Sequence, residues 1–171
     1  QLYGGFTTTE APFLEFVVNS ANVDLGVQNT ASASTGTATF TIKAYLASGY
    51  VVTTISDPPK NASYTITNMA TTAASAPGTE QFGINLRANT SPTTVGADPV
   101  QLPDASFSFG QVSADYNTVN QFKYVKNDVI AYSNKSSGIT QFTMTYLMNI
   151  KSTTPGGTYV MDHNLVATGT F

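Results

Sequence analysis

The sequence predicts an all-β fold: a single β-sandwich of jelly-roll or immunoglobulin/pilin-like type, with about ten to twelve strands. Apolar and polar residues alternate with period two over short runs, which is the pattern of half-buried strands. Clusters of Gly, Pro, Asn and Ser separate these runs, and apolar residues at helical spacing are nearly absent. These three observations favour antiparallel sheets joined by turns over a helical or mixed fold.

The clearest predicted strand spans residues 37–46. Its apolar residues alternate with threonines and a lysine, so Phe40 and Ile42 are expected in the core and the hydroxyls on the opposite face. Residues 47–49 contain a glycine and have the length of a tight turn, so we expect a hairpin with a second strand over 50–55.

Further strands are expected at the spacing typical of a sandwich. They are predicted over residues 13–18, 23–27, 63–69, 81–88, 105–109, 121–125, 129–133, 140–150 and 159–171. The turn-rich stretches 71–79, 89–103 and 152–158 are predicted connectors. The alanines within 70–76 leave a short helix open as an alternative there.

Length and composition indicate one exported domain. The 171 residues suffice for one core, and we assign residues 12–171 to the sandwich and 1–11 to an extended N-terminal segment. Charged side chains form only 10% of the chain, whereas 27 threonines and 15 serines supply much of its polarity. This composition is typical of an extracellular protein of the cell surface. Because the chain starts at Gln1 with no signal-like segment, we expect it to be already processed.

Two classes of partner are disfavoured. The seven Lys and Arg residues are spread singly along the chain, so no basic stripe is available for nucleic acid. No apolar run is long enough to span a membrane, so we expect no membrane insertion of the mature chain. Cysteine is absent, which excludes disulfides but leaves the redox compartment open.

The inventory of reactive side chains is too small to predict an active site. One histidine, no cysteine and ten scattered acidic residues provide no nucleophile with a base and an orienting group. Asp162 belongs on the opposite face of a strand from His163, so we expect His163 to be structural or at the surface. No spacing among the acidic residues singles out a glycosidase pair. The sequence therefore predicts no enzymatic activity and no cofactor.

Calcium sites require several oxygen ligands in a loop, and two sets of residues are candidates. One set is Asp98 with Asp104, and the other is Asp115 with Asn117 and Asn120. Loop Asp and Asn residues more often bond to their own backbone in turns, so no metal site is predicted.

The sequence contains candidate residues for two kinds of covalent modification. Asn-x-Ser/Thr triplets at Asn61, Asn89 and Asn134 fall in predicted loops and leave glycosylation open. Lys43 lies in the middle of a predicted strand, but the alternation places it on the polar face. An isopeptide bridge from Lys43 is therefore not expected.

The segment 1–11 is a candidate donor strand, which is a segment that completes the sheet of a neighbouring subunit. It carries apolar anchors around a glycine pair that allows close backbone approach, and Pro12 separates it from the first strand. The C-terminal strand ending at Phe171 is the alternative donor. The candidate interface residues are Leu2, Tyr3, Gly4, Gly5 and Phe6.

Four strings carry a resemblance to known proteins: TTTEAPFLEFVVNSANVDLGV (7–27), ATFTIKAYLASGYVV (38–52), GTEQFGINLRANTSPTTVGADPVQ (78–101) and TPGGTYVMDHNLVATGTF (154–171). They resemble an uncharacterised family of exported surface proteins of candidate-phylum bacteria of the Saccharibacteria type. This resemblance implies that the chain is a C-terminal portion left by processing, and it supplies no catalytic residues. The architecture also resembles β-sandwich fibre subunits of pilin or biofilm-matrix type.

These observations favour a structural subunit of an extracellular filament or pilus-like fibre. Copies of the chain would form a homopolymer at the cell surface by β-strand donation. A monomeric surface adhesin or carbohydrate-binding module is one alternative. A surface-layer or wall-attached domain is another.

Overall fold

The computed structural model describes residues 11–20, 22–45 and 47–171, and in these ranges the chain is all-β, as the alternating pattern predicts. A single 3₁₀ turn over Ala114–Tyr116 is the one helical element described. Within the same ranges, no helix is long and apolar enough to cross a membrane. The strands are β1 (Phe13–Val18), β2 (Ser34–Tyr45), β3 (Gly49–Thr54), β4 (Lys60–Asn61), β5 (Tyr64–Thr65), β6 (Ala73–Ala74), β7 (Gln81–Asn85), β8 (Val100–Leu102), β9 (Gln111–Val112), β10 (Gln121–Phe122), β11 (Val129–Ser133), β12 (Ser137–Asn149) and β13 (Leu165–Thr170).

Most strands belong to two antiparallel sheets. The first sheet has the order β1-β2-β12-β7, and β8 also pairs with β12. The second sheet has the order β13-β3-β11-β9. The pairs β4-β5 and β10-β6 form two small additional sheets. The predicted all-β class is confirmed, but the strands are divided among four sheets instead of forming one regular pair of sheets.

One hydrophobic cluster joins the two larger sheets. Phe40 and Ile42 of β2 are buried, as are Val52 of β3 and Ile130 of β11. The Phe40 ring stacks on Phe142 of β12 with the ring centroids 5.1 Å apart. The apolar face predicted for residues 37–46 is therefore confirmed as a core face.

The opposite face of β2 is polar, as predicted. Lys43 lies directly across from Glu15 of β1, and its Nζ is 2.9 Å from Glu15 Oε2. Both side chains are partly exposed, so Lys43 forms a surface ion pair and lies outside the apolar core.

The predicted hairpin between residues 37–46 and 50–55 is wrong. β2 pairs with β1 and β12, whereas β3 pairs with β11 and β13, so the chain passes from one sheet to the other at this turn. Gly49 has φ 151° and lies against the backbone of Ser133 at the end of β11, where a side chain has no room. The turn glycine therefore permits a close approach between strands at a corner, and a hairpin is not formed.

Several other predicted strands differ from the structure. β1 and β11 have the predicted bounds, but residues 23–27 and 105–109 form no strand. Residues 23–27 are irregular because Val23 and Leu25 pack on the core from a loop. Residues 105–109 lie in turns, where the Asp104 carboxylate accepts the Ser106 backbone N–H at 2.7 Å.

The strands predicted over 63–69, 81–88, 121–125 and 159–171 are shorter in the structure, as β5, β7, β10 and β13. Short strands β6 and β8 lie in stretches that were predicted to be connectors. The alternative of a helix over 70–76 is wrong, because β6 occupies this stretch.

The molecule has two poles. At the entry pole the chain enters β1 at Phe13, opposite Tyr45, and β13 ends at Thr170, opposite Gly49. At the other pole β1 ends at Val18 and β13 begins at Leu165. We call the second end the groove pole, because a wide groove opens there.

Candidate functional site

A groove of about 1000 Å³ opens between the first sheet and the chain segments that cover it at the groove pole. Its volume lies at the upper end of the roughly 300–1000 Å³ typical of ligand pockets. Residues 22–28 and 154–165 form its covering side. Its apolar lining includes Val18, Val23, Leu25, Ala38, Phe40, Phe82, Met144, Tyr146, Met148, Ile150, Tyr159, Met161 and Leu165.

The loop 22–28 is attached to the sheet mainly by side-chain packing. Val23 and Leu25 lie over Gly36 of β2, where an added methyl group would come 2.5 Å from Val23 Cγ1 and 2.9 Å from Leu25 Cδ2. The side-chain hydrogen bonds of the loop within the described chain are local, such as that from the Gly26 N–H to Asp24 Oδ1 at 2.8 Å. A loop of this kind can shift without breaking the β-ladders beneath it.

A buried chain of hydrogen bonds runs from the groove into the core through His163. Its Nδ1 lies 2.7 Å from Tyr146 Oη, and its Nε2 lies 2.7 Å from Thr54 Oγ1. Thr54 Oγ1 is 3.0 Å from Tyr124 Oη, which donates to the Ser56 carbonyl at 2.8 Å. Five groups from four separate stretches of sequence therefore form one connected network.

The last bond of this network fixes the tautomer of His163. A carbonyl only accepts, so Tyr124 uses its single hydrogen on Ser56, and Thr54 must donate to Tyr124. Thr54 has then used its own hydrogen and must accept from His163 Nε2–H. Nε2 therefore carries a hydrogen, and in the neutral imidazole Nδ1 accepts a hydrogen bond from the Tyr146 hydroxyl.

Burial lowers the pKa of His163 from 6.5 to about 4. Its two bonded partners are uncharged hydroxyls, so neither compensates for the lost hydration of an imidazolium. Burial likewise raises the pKa of Tyr146 and brings that of Tyr124 to about 12. All three groups are neutral near pH 7, and the network positions the chain without providing an activated nucleophile.

Glu80 is a second buried polar centre. It also holds residues 154–165, which we call the covering segment. Thr154 Oγ1 donates to its carboxylate at 2.5 Å, and Thr67 donates through its hydroxyl at 2.7 Å and its backbone N–H at 3.0 Å. Tyr64 Oη adds bonds of 3.0 and 3.1 Å. Burial alone would raise the pKa of this carboxyl, but the donated bonds outweigh it and hold the pKa at about 2.

The covering segment is fixed at its far end by Ser56. Ser56 Oγ donates to the Asp162 carbonyl at 2.6 Å and accepts the Asn164 N–H at 2.7 Å. Asp162 itself is exposed, on the opposite side of the chain from the half-buried His163. The two residues form no dyad, as the sequence analysis expects.

The candidate donor residues Leu2, Tyr3, Gly4, Gly5 and Phe6 lie outside the described residues. The two candidate calcium sets are not assembled as ligand clusters. Asp98 pairs with Arg87 at 3.0 Å, and Asp115 pairs with Lys123 at 2.6 Å. In the part of the chain that the structure describes, no three His, Asp or Glu side chains are grouped to hold a metal.

The calcium candidates Asp104 and Asn120 instead stabilise turns. Asp104 bonds within its own turn, and Asn120 Oδ1 accepts the backbone N–H groups of Thr90 and Ser91 at 2.8 and 2.9 Å. These are the ordinary roles that loop Asp and Asn residues have in turns.

The three glycosylation triplets differ in exposure. Asn89 is 2% exposed, and its amide donates to Asn85 Oδ1 and to the Arg87 carbonyl, so it is closed to glycosylation in the folded chain. Asn134 is exposed and Asn61 is half-buried. Glycosylation therefore stays open at Asn134 and Asn61 only.

Sequence reasoning missed most of the groove's polar residues. Thr54 and His163 are 109 residues apart, so no local motif links them. Glu80 is the one polar residue near the groove whose role the sequence could have indicated. It is an isolated acidic residue directly before a predicted strand, in a chain with few charges.

Comparison with protein-family models gives no match for this chain. Comparisons with curated proteins and with solved structures likewise give no significant match.

Proposed function

We propose that the protein is a structural subunit of an extracellular filament at the cell surface. In this proposal the two larger sheets act as a β-sandwich scaffold, and residues 1–10 of one subunit enter the groove of the next. The proposal assigns the protein no catalytic role and no cofactor.

The observation that carries the proposal is the position of the groove at the pole opposite to the entry of the chain. Residues 1–10 connect to β1 at the entry pole, whereas the groove opens beyond Val18 and Leu165. Ten extended residues span about 33 Å, and turning back along the six residues of β1 would use about 20 Å of that length. Only about four residues would remain to fill the subunit's own groove. A segment that enters the groove of the next subunit does not turn back along β1, so it loses no length in this way.

The chemistry of the segment matches that of the groove. In an extended chain Leu2, Gly4 and Phe6 occupy one face, which presents two apolar side chains separated by a glycine. The groove lining is more apolar than polar, and its Tyr146 and Thr154 hydroxyls are already hydrogen-bonded within the chain. An apolar strand face therefore fits this groove better than a charged or strongly polar ligand.

A contact between opposite poles favours open polymers. The donating and accepting surfaces are different, so the contact is head-to-tail and each added subunit presents a new groove. Such contacts form a filament unless the rotation between subunits closes a ring.

The test uses two matched variants of the full chain. Leu2→Asp with Phe6→Asp places two charges on the face that enters the groove, whereas Thr7→Asp with Thr9→Asp places them on the other face. Negative-stain microscopy and sedimentation should show filaments for the wild type and for the threonine variant, and monomers for the first variant. Filaments of unchanged width from the first variant would contradict donation by this segment and direct attention to the strand ending at Phe171.

The same experiment addresses the alternative of a monomeric adhesin or carbohydrate-binding module. That alternative predicts a monomeric wild-type chain. Tyr146 and Tyr159 line the groove, but their hydroxyls bond to His163 and to the Pro155 carbonyl, which leaves them poorly placed for binding sugar hydroxyls.

A further inference from the structure

β13 has one edge whose backbone groups have no partner in the described chain. The Asn164 carbonyl accepts the Ile55 N–H, and the Thr170 carbonyl accepts the Ser48 N–H, so even-numbered residues face β3. Backbone groups of successive strand residues point to opposite sides, so Leu165, Ala167 and Gly169 face away from β3. No backbone hydrogen bond is recorded for these three residues within the part of the chain that is described.

β1 has a corresponding free edge. The Asn19 N–H donates to the Thr39 carbonyl, which continues a ladder in which the odd-numbered residues of β1 face β2. Phe16 and Val18 therefore face the other way. Near the entry pole side chains pack between the two strands, since a methyl group on Gly169 would lie 3.2 Å from Leu14 Cδ1. Towards the groove pole they open onto the groove, which Val18 and Leu165 both line.

The direction of a donated strand distinguishes the two edges. In the proposed polymer the donated segment leaves one subunit at its entry pole and enters the next subunit at the groove pole. Its lower-numbered residues therefore lie nearer to the entry pole of the accepting subunit. Its chain direction is then opposite to that of β13 and the same as that of β1. Antiparallel pairing is slightly more stable per residue than parallel pairing.

We propose that the donated segment 1–10 pairs antiparallel with the free edge of β13, through the backbone groups of Leu165, Ala167 and Gly169. This inference rests on the proposed function and adds the strand edge that accepts the donor. The side chains of these three residues face the core side of the sheet and become smaller towards the entry pole, where the Phe171 ring and Leu14 pack over Gly169.

The test removes one hydrogen-bond donor from each free edge of the full-length chain. Ala167→Pro deletes an N–H that bonds to nothing within the described chain, and Val18→Pro makes the same change on β1. Proline is tolerated on an edge strand where the N–H faces outward, so both variants are expected to fold, with circular dichroism like that of the wild type. Ala167→Pro is expected to reduce pelleted filament at least tenfold, and Val18→Pro to leave it within twofold of wild type.

The outcomes separate the inference from the proposed function. Loss of filaments in Val18→Pro with normal assembly of Ala167→Pro would overturn pairing with β13 while keeping strand donation. Normal assembly of both variants would also overturn the inference. A wild-type chain that stays monomeric would overturn both proposals.

Amide hydrogen exchange decides the question if Ala167→Pro does not fold. The wild-type filament is compared with the monomeric Leu2→Asp, Phe6→Asp variant. Pairing with β13 predicts at least tenfold slower exchange in the filament at Leu165, Ala167 and Gly169. Exchange that is unchanged at these three residues would overturn the inference.

Discussion

Different interactions close the space between the two larger sheets at the two poles. At the entry pole the contacts are packed: Leu14 lies against Gly169, and Gly49 lies against the Ser133 backbone. At the groove pole the covering segment is held by hydrogen bonds from Thr154 to the buried Glu80 and between its half-buried His163 and Thr54, and a groove of about 1000 Å³ remains.

This difference has two consequences. Packed closure depends on shape and is insensitive to pH, whereas the hydrogen-bonded closure depends on the protonation of one carboxylate and one imidazole. The groove pole is also the less completely filled end of the core, and an incompletely filled core is suited to receive a further strand.

The largest effect is expected in the core that joins the two poles. Phe40→Ala should lower the free energy of unfolding by about 3 to 5 kcal/mol, because a fully buried aromatic ring is removed. Thr41→Ala, on the polar face of the same strand, should cost less than about 1 kcal/mol. Urea titration of both variants measures this difference. Equal losses would show that the two faces of β2 contribute alike.

The entry pole can be tested through its corner glycine. Gly49→Ala should cost about 2 to 4 kcal/mol, because φ is positive and the added methyl group meets the Ser133 backbone. Gly156 of the covering segment has no atoms near an added methyl group, so Gly156→Ala is the matched control and should change stability by less than about 0.5 kcal/mol. Thermal melts of the pair measure both values, and a harmless Gly49→Ala would contradict packed closure at this pole.

The groove pole should lose stability in strong acid through Glu80. Its pKa is about 2 in the folded chain and 4.5 as a reference, so the unfolded chain binds more protons between these values. The stabilisation is fully present above pH 4.5 and is lost as the pH falls towards 2. Glu80→Gln should cost about 2 to 3 kcal/mol at pH 7 and remove this pH dependence.

Glu15→Gln is the control for that experiment. Glu15 forms an exposed ion pair with Lys43, which typically contributes little to stability. Chemical denaturation at several pH values compares the two variants. A Glu15 variant that removes the acid dependence as fully as the Glu80 variant would place the effect outside the groove pole.

A smaller effect is expected from His163 at milder pH. Its pKa is about 4 in the folded chain against 6.5 as a reference, so the unfolded chain binds more protons in this window. Stability should fall by about 2 kcal/mol as the pH drops from 6.5 to 4, and His163→Gln should flatten this slope. NMR titration of the single imidazole checks the cause directly, and an observed pKa near 6.5 would contradict it.

The strands of the fold were more predictable than their pairing. Period-two alternation correctly predicted the bounds of β1 and the core face of β2, because it depends only on which side chains are buried. It does not specify which strand lies alongside another, and a three-residue turn with glycine suits a sheet corner as well as a hairpin. The strand predicted over residues 23–27 is also wrong, because apolar side chains can pack on the core from a loop.

The candidate site was less predictable. The groove depends on contacts between residues far apart in sequence, such as Thr54 with His163 and Glu80 with Thr154. No local pattern encodes such contacts. The donor segment could be proposed from composition alone, because apolar anchors and a glycine pair are local features.

The central claim, donation of the segment 1–10 to a neighbouring groove pole, can be tested by cross-linking in a chain that has no cysteine of its own. The Phe6→Cys, Leu165→Cys variant is assembled and oxidised, and each single variant serves as a control. Intermolecular donation predicts a ladder of covalent oligomers on a non-reducing gel, and the single variants should not extend beyond dimers. A double variant that pellets as filament before oxidation but forms no intermolecular disulfide would contradict the account.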